Sequence, residues 1–262
     1  MTTRASAEIR DHATEFMDDA QAVAIDDTIW WAVGRRAILA TFLQRAAERR
    51  SREMKILEIG CGSGGDLPLL ARYGQVWGME RSAVLAQRAR ARKVAEEVYT
   101  EDAALDDVAA REVDLFCMFD VLEHIEDDNG FVRHLAAKPA ADHQYLLSVP
   151  AFQFLFGPHD ELLHHFRRYS KSQLKTVLEN NGYEVIASGY FMFFLFPLAV
   201  VSRLIEGIKA RFGKRHAEVN IGRVAGPINS LFIAILRFEA FLGRYIRFPF
   251  GLWIITLARR RR

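Results

Sequence analysis

Residues 55–66, KILEIGCGSGGD, run a short apolar strand straight into closely spaced glycines, and this junction constrains the fold more than any other stretch. Glycines 60, 62 and 65 satisfy G-x-G-x-x-G, and Gly64 lies among them. Without Cβ atoms, such a loop lets the backbone approach a ligand closely. The chain beyond keeps the same grammar. DLPLLARYG (66–74) reads as a short helix stopped by Gly74, and QVWGME (75–80) as a second strand. SAVLAQRARARKVAEE (82–97) is a helix capped by Ser82, and VYTED (98–102) a third strand. VDLFCMFD (113–120) is almost wholly apolar, as a central parallel strand should be. A helix over Asp128–Ala137 precedes a fifth strand, HQYLLSVP (143–150). A helix from the Ser170 cap to the Asn181-Gly182 stop precedes a sixth, YEVIAS (183–188). Strands alternating with helices at this pitch specify an α/β chain with a doubly wound parallel sheet.

A glycine loop of this kind suits a dinucleotide, and Glu80, twenty residues beyond Gly60, is placed to hold a ribose. Two features favour another ligand. Glu58, two residues before the first glycine, would repel a pyrophosphate but suits an ammonium or sulfonium group. The fourth strand then runs into FDVLEHIED (119–127), which puts more acids at the rim.

ILEIGCGSGG, Glu80, EDA (101–103) and FDVLEHIEDD (119–128) resemble, in order, the motifs of class I S-adenosylmethionine-dependent methyltransferases of the type 11/12/23 groups. The resemblance spans about residues 55–190. It implies a Rossmann-like sheet of seven strands and S-adenosylmethionine as methyl donor. It implies that Glu58, Gly60, Cys61, Gly62 and Gly64 cradle the methionine portion and that Glu80, followed by Arg81, holds the ribose. Asp102 and Ala103 would then meet the adenine, with Asp120 and His124 near the methyl donor. Arg81 stands where a small or apolar residue is more usual.

GPHDELLHHFRRYS (157–170) concentrates three histidines, two acids, two arginines and a tyrosine after strand five. Loops at the carboxyl ends of strands face the ligand crevice of an open α/β sheet, so this segment is expected to cover the methyl-acceptor site. His159 and His165 are the candidates for proton transfer, with Asp160 orienting an imidazole. His164, Arg167, Arg168 and Tyr169 are candidates for binding an anionic acceptor. The alternative is an ion-pair cluster that ties the loop to the next helix. The spacing of the histidines matches no strong metal motif, so no metal is assigned. Together with WWAVGRR (30–36), the segment looks like a methyltransferase subgroup associated with polyprenyl-linked sugar and cell-envelope pathways. That likeness implies that Trp30, Trp31, Arg35 and Arg36 come back over the cofactor cleft, with Trp31 and Arg35 reaching the acceptor.

Class I methyltransferases end with a seventh, antiparallel strand, and PFGLWIITLARR (249–260) fits it. The organisation expected is an N-terminal helical cap over 1–50, a core of 51–189 with 249–262, and a helical insertion over 190–248. The insertion reads as two helical segments, 190–212 and 227–248. The second places Ile228, Leu231, Phe232, Ile235, Leu242 and Ile246 on one broad face, with Arg237, Arg244 and Arg247 towards the other. An apolar face rimmed by arginine suits an interfacial helix. Arg203, Lys209, Arg211, Lys214 and Arg215 would attract anionic lipid. The same face would also serve dimerisation or the domain's own core. No uncharged apolar run reaches the length of a spanning helix.

The net charge of +2 gives no reason to expect a nucleic-acid partner. Two cysteines make no disulfide or zinc framework, and no apolar leader is visible, so a cytoplasmic setting on the membrane face is expected. The expected activity is methyl transfer to an oxygen or nitrogen of an anionic, amphipathic or lipid-linked acceptor. The competing readings are transfer to a soluble small molecule with the insertion as lid or dimer contact, a nicotinamide-dependent oxidoreductase, and a non-catalytic membrane adaptor.

Overall fold

A computed structural model describes residues 27–48, 52–101, 112–137, 143–211 and 224–261. Among them, seven strands form one sheet. They are β1 (Met54–Ile59), β2 (Gly74–Met79), β3 (Glu97–Tyr99), β4 (Leu115–Phe119), β5 (Gln144–Pro150), β6 (Tyr183–Phe191) and β7 (Trp253–Arg260). Their order is β3-β2-β1-β4-β5-β7-β6. Strands β1 to β5 are parallel, and β7 runs antiparallel between β5 and β6. The described helices are α1 (Trp30–Ala47), α2 (Leu67–Leu70), α3 (Ala83–Ala91), α4 (Asp128–Ala136), α5 (Pro158–Leu162), α6 (Lys171–Asn180), α7 (Phe196–Arg211) and α8 (Gly226–Leu242). This is the seven-stranded, Rossmann-like architecture of the class I methyltransferases.

Successive strand residues point to opposite faces of the sheet, so each strand feeds two cores. Ile56 enters one with Leu39, Leu43 and Leu67, whereas its neighbour Leu57 enters the other with Phe116, Leu147 and Ile254. All five residues of β4 are buried, which explains why this strand is apolar throughout. The strand order turns back between β1 and β4. The chain leaves these neighbours in opposite directions and opens a crevice at their carboxyl ends. Helix caps fall where the sequence places them. Ser82 accepts from the Leu85 amide, and Ser170 with Gln173 forms a capping box.

Several boundaries differ from the sequence reading. Helix α3 stops at Ala91 instead of running to 97, because Lys93 takes a left-handed φ of 53° and turns the chain into β3. Strand β6 continues to Phe191, where it pairs with Trp253, so the insertion's first residues are sheet and not helix. Met192, at φ 62°, ends the strand, and α7 starts at Phe196 with Pro197 in its first turn, where a missing amide costs nothing. The β7 strand begins at Trp253, not at Pro249.

Helix α8 docks on α1. Trp30 and Phe232 meet edge to face with ring centroids 5.2 Å apart. Asn229 accepts from the Trp30 amide at 2.9 Å and supplies an N-terminal partner that Ile29 cannot. Gly34 allows the close approach, since a Cβ there would lie 2.2 Å from Leu236 Cδ1. The buried stripe of α8 is therefore Leu236, Glu239 and Ala240, with Phe232 and Ile235 partly covered. This splits the single face expected from sequence. Leu231 lies on the exposed side with Phe238 and Phe241, because α1 takes a stripe centred on Leu236, and Ile228, near the start of α8, is exposed too. Among the described residues, no helix is long and apolar enough to cross a membrane. The side chains of Lys209 and Arg211, and residues Lys214 and Arg215, lie outside what the structure describes.

Leu236 is fully buried at the contact that brings the insertion to the N-terminal helix. Leu236→Ala is expected to cost about 2–5 kcal/mol. Urea unfolding followed by circular dichroism should show a lower midpoint with an unchanged slope.

Candidate active site

The crevice is built from the ends of β1, β2 and β4. Glu58, only 2% exposed, lies on its floor. Gly60, Gly62 and Gly64 have φ of 73°, 55° and 79°, a conformation that costs other residues about 1–2 kcal/mol. The amides of Gly60 and Cys61 both donate to the Met79 carbonyl, which ties the loop to the end of β2. Glu80 continues that tie by accepting from the amides of Gly62 and Ser82, each at 2.9 Å. The side chain of Cys61 turns inward against Gly78. Burial, then the Glu58 and Glu80 carboxylates, push its thiol pKa up, so it contributes backbone and packing but no thiolate. Arg81 is exposed. Asp102 and Ala103 lie outside the described residues.

Helix α1 closes the crevice from above, and Ala32, Arg35 and Arg36 line it. The Arg35 guanidinium reaches Asp66 Oδ2 and Asp120 Oδ2, both at 2.6 Å, and lies over the rings of Trp31 and Phe119. Arg36 lies 3.7 Å from the other Asp66 oxygen. Asp120 itself has φ 58°, and its second oxygen accepts from the Ser148 hydroxyl at 2.8 Å. Arg35 lies over the cofactor cleft, as the sequence implies, and is held there by two carboxylates. The sequence reading did not single out Asp66 and Ser148. An acid opening a short helix and a serine within an apolar strand carry no sequence signal of their own.

The segment after β5 divides into an inward and an outward set. Asp160 is fully buried. It accepts from His165 Nδ1 at 2.9 Å, from Arg168 Nε at 2.8 Å and from the Gly157 amide at 3.0 Å. Although burial opposes it, these donors hold the carboxyl well below its usual range. Asp160 thus orients His165 and does not itself exchange protons near neutral pH. Arg168 is buried against it, and Tyr169, 2% exposed, donates to Asp128 Oδ2 at 2.8 Å. Arg167 pairs with Asp128 at 2.9 Å and donates to the Glu126 carbonyl. Arg168 and Tyr169 were expected to bind acceptor; both point inward and fasten the segment to the fold, because their charge and hydroxyl match carboxylates beneath. His164 is exposed, with φ 55°. His159 is half-buried, and burial lowers its pKa, with Arg203 of α7 adding to the effect. His124 is pushed down to about 4, first by burial and then by His165, whose ring lies 4.6 Å away edge to face.

The crevice therefore offers a buried acid beside two guanidinium groups, under a loop whose backbone is open at Gly62. That charge pattern suits the zwitterionic amino-acid end of S-adenosylmethionine. Glu80 remains at the end of β2, where a ribose would lie. The site and sheet together define a class I methyltransferase.

Comparison with known proteins agrees. A family model described as a methyltransferase domain matches residues 31–188. The chain belongs to that family, enzymes whose methyl donor is S-adenosylmethionine. No curated protein matches the sequence. Among solved structures, the chain resembles that of a methyltransferase in complex with the Haloferax volcanii Trm112 methyltransferase activator. The TM-score is 0.54 at 15% identity, over 93% of this chain and 94% of that one. Magnesium protoporphyrin IX methyltransferase from Synechocystis PCC 6803, crystallised with S-adenosylhomocysteine, gives 0.51 at 17% identity, over 70% and 92%. A methyltransferase from Bacillus halodurans gives 0.53 at 15%, over 85% and 99%. At such identities these structures share the fold.

A side chain built on Gly62 meets nothing within 4 Å and projects into open space. Gly62→Arg is expected to keep the fold, at a backbone cost of about 1–2 kcal/mol, and to abolish calorimetric binding of S-adenosylhomocysteine. Retained affinity in the variant would remove the loop from the donor site.

Proposed function

We propose that this methyltransferase acts at the cytoplasmic face of a membrane, on an oxygen or nitrogen of an anionic, amphipathic or lipid-linked acceptor. The observation that carries this reading is the apolar surface of the insertion. Leu198 and Val201 on α7, and Leu231 and Phe238 on α8, are each more than half exposed. Phe194, in the turn before α7, packs near Phe238 of α8, their ring centroids 6.1 Å apart. Arg237 on α8 and Arg244 and Arg247 just after it are exposed as well. Large contiguous apolar patches on otherwise polar proteins mark interaction sites, and nearby arginines favour an anionic lipid surface. The surface also adjoins the acceptor side, since Arg203 of α7 is close enough to perturb His159.

The chemistry needs alignment and a proton acceptor, because the sulfonium is already activated. His159 and His165 are the groups for that proton, with Asp160 fixing the ring of His165. Replacing either by alanine is expected to lower kcat by about 10²–10⁴-fold, with donor binding unchanged by calorimetry. The docking of α8 on α1, above the donor cleft, favours one second reading, in which the insertion is a lid over a soluble acceptor.

Two measurements separate these. Each exposed apolar side chain buried in lipid contributes on the order of 1 kcal/mol. Serine at Leu198, Val201, Leu231 and Phe238 together should reduce flotation with phosphatidylglycerol vesicles by about 100-fold or more, without changing the circular dichroism spectrum. Donor labelled in its methyl group, incubated with the protein and a total lipid extract, should leave label in the organic phase. Label confined to water-soluble products, with no flotation of the unsubstituted protein, would sink the membrane reading.

A further inference from the structure

Among the described residues, one group of side chains has the make-up of a metal centre. The donor atoms of Glu123, His124 and His165 lie within 4.8 Å of one another. We propose that these three residues bind a single divalent transition-metal ion on the acceptor side of the cleft. Metal–nitrogen and metal–oxygen bonds of about 2.0–2.1 Å separate tetrahedral ligands by about 3.3 Å. Small side-chain rotations therefore close the group around an ion.

Three observations converge on this site. Glu123 is fully buried, and neither of its carboxylate oxygens has a hydrogen-bond partner. A buried carboxyl without partners costs several kcal/mol unless something supplies positive charge, and a cation does so directly. His165 gives its Nδ1 to Asp160, which leaves Nε2 as the coordinating atom. A carboxylate behind a histidine is the usual way to set the tautomer of a metal ligand. Finally, the Phe166 amide donates to the Glu123 carbonyl at 2.8 Å, so the two segments that carry the ligands are held together by backbone.

Two imidazoles and one carboxylate favour zinc, cobalt, iron or manganese over magnesium or calcium. Three protein ligands leave a coordination position open for another molecule. This part rests on the methyl-transfer reading. There the open position would take a hydroxyl oxygen of the acceptor and favour its ionisation. The proton would pass to His159, leaving His165 as a ligand. The oxygen would then form its bond to the methyl carbon as the carbon–sulfur bond breaks and the electron pair returns to sulfur. The acceptor class narrows accordingly from oxygen or nitrogen to a hydroxyl compound.

The test uses the full chain, stripped with chelator and titrated with zinc and with cobalt. Calorimetry should give one equivalent, and cobalt should develop visible bands of a low-coordinate site with nitrogen ligands. Loss of an outer partner alone weakens metal sites by about 10–100-fold, so Glu123→Gln and His165→Asn should each weaken binding at least about 100-fold. His134→Ala, an exposed histidine on α4, should leave it unchanged. X-ray absorption on the unsubstituted cobalt protein, which should report two imidazoles, decides the matter if a variant misfolds. No stoichiometric binding, binding unaltered in the folded Glu123 or His165 variant, or loss of the equivalent in His134→Ala would overturn the site. Titration with S-adenosylhomocysteine on the same sample separates the two ideas. Donor-product binding without metal defeats the metal site alone, and metal binding without it defeats the methyl-transfer reading.

Discussion

One guanidinium holds the donor cleft together. Arg35 comes from the N-terminal helix and reaches Asp66 at the start of α2 and Asp120 at the end of β4. Two carboxylates converging in a poorly hydrated crevice repel each other, and without a cation one would have to take up a proton. Arg35 is only 14% exposed and Asp66 4%, so the pair is largely shielded from water. Removing one partner of such a pair typically costs about 3–5 kcal/mol, far more than a surface ion pair returns. The position of α1 is therefore not optional. It rests on Leu39 and Leu43 in the core below and on the Gly34–Leu236 contact with α8. The chain of dependence runs from the insertion, through the N-terminal helix and Arg35, to the glycine loop.

Asp120 links the two halves of the site. Its left-handed backbone is tolerable for an aspartate, and its two oxygens are fixed by Arg35 and Ser148. Such strain persists only where surrounding structure overdetermines it, which is common at reactive centres. From this residue the chain passes at once into Glu123 and His124. One short turn thus joins Asp120, bound by Arg35, to His124, whose ring meets that of His165. Positioning of this kind is most of what a sulfonium donor requires.

The sheet was legible because its signals are local and repeated. Apolar strands ending on glycines, Ser82 and Ser170 as caps, and the wholly apolar β4 each state the same architecture. Glu58 and Glu80 were legible because a fixed offset from the glycines sets their place. The segment after β5 was only half legible. RRYS supplies two arginines and a tyrosine, and nothing in those letters tells that Arg168 and Tyr169 turn inward. Their direction is set by Asp160 and Asp128, which arrive from different elements. The split face of α8 was hidden for the same reason. Periodicity finds a stripe, but the stripe's centre depends on the partner helix, here through Gly34.

A buried acid fixes how α8 sits on the fold. Glu239 is fully buried on the inner side of that helix, and one of its carboxylate oxygens accepts from the Phe194 amide at 3.3 Å. Burial pushes its pKa up, against that hydrogen bond. A purely apolar contact would let the helix roll, since apolar burial is non-directional. A carboxylate that caps a particular turn fixes both rotation and height. The turn it caps lies between β6 and α7, and the stacked rings of Phe193 and Phe248 brace it from the β7 side. The exposed side of α8, with Leu231, Phe238 and Phe241, is thereby held at a set angle to α1, which closes the donor cleft.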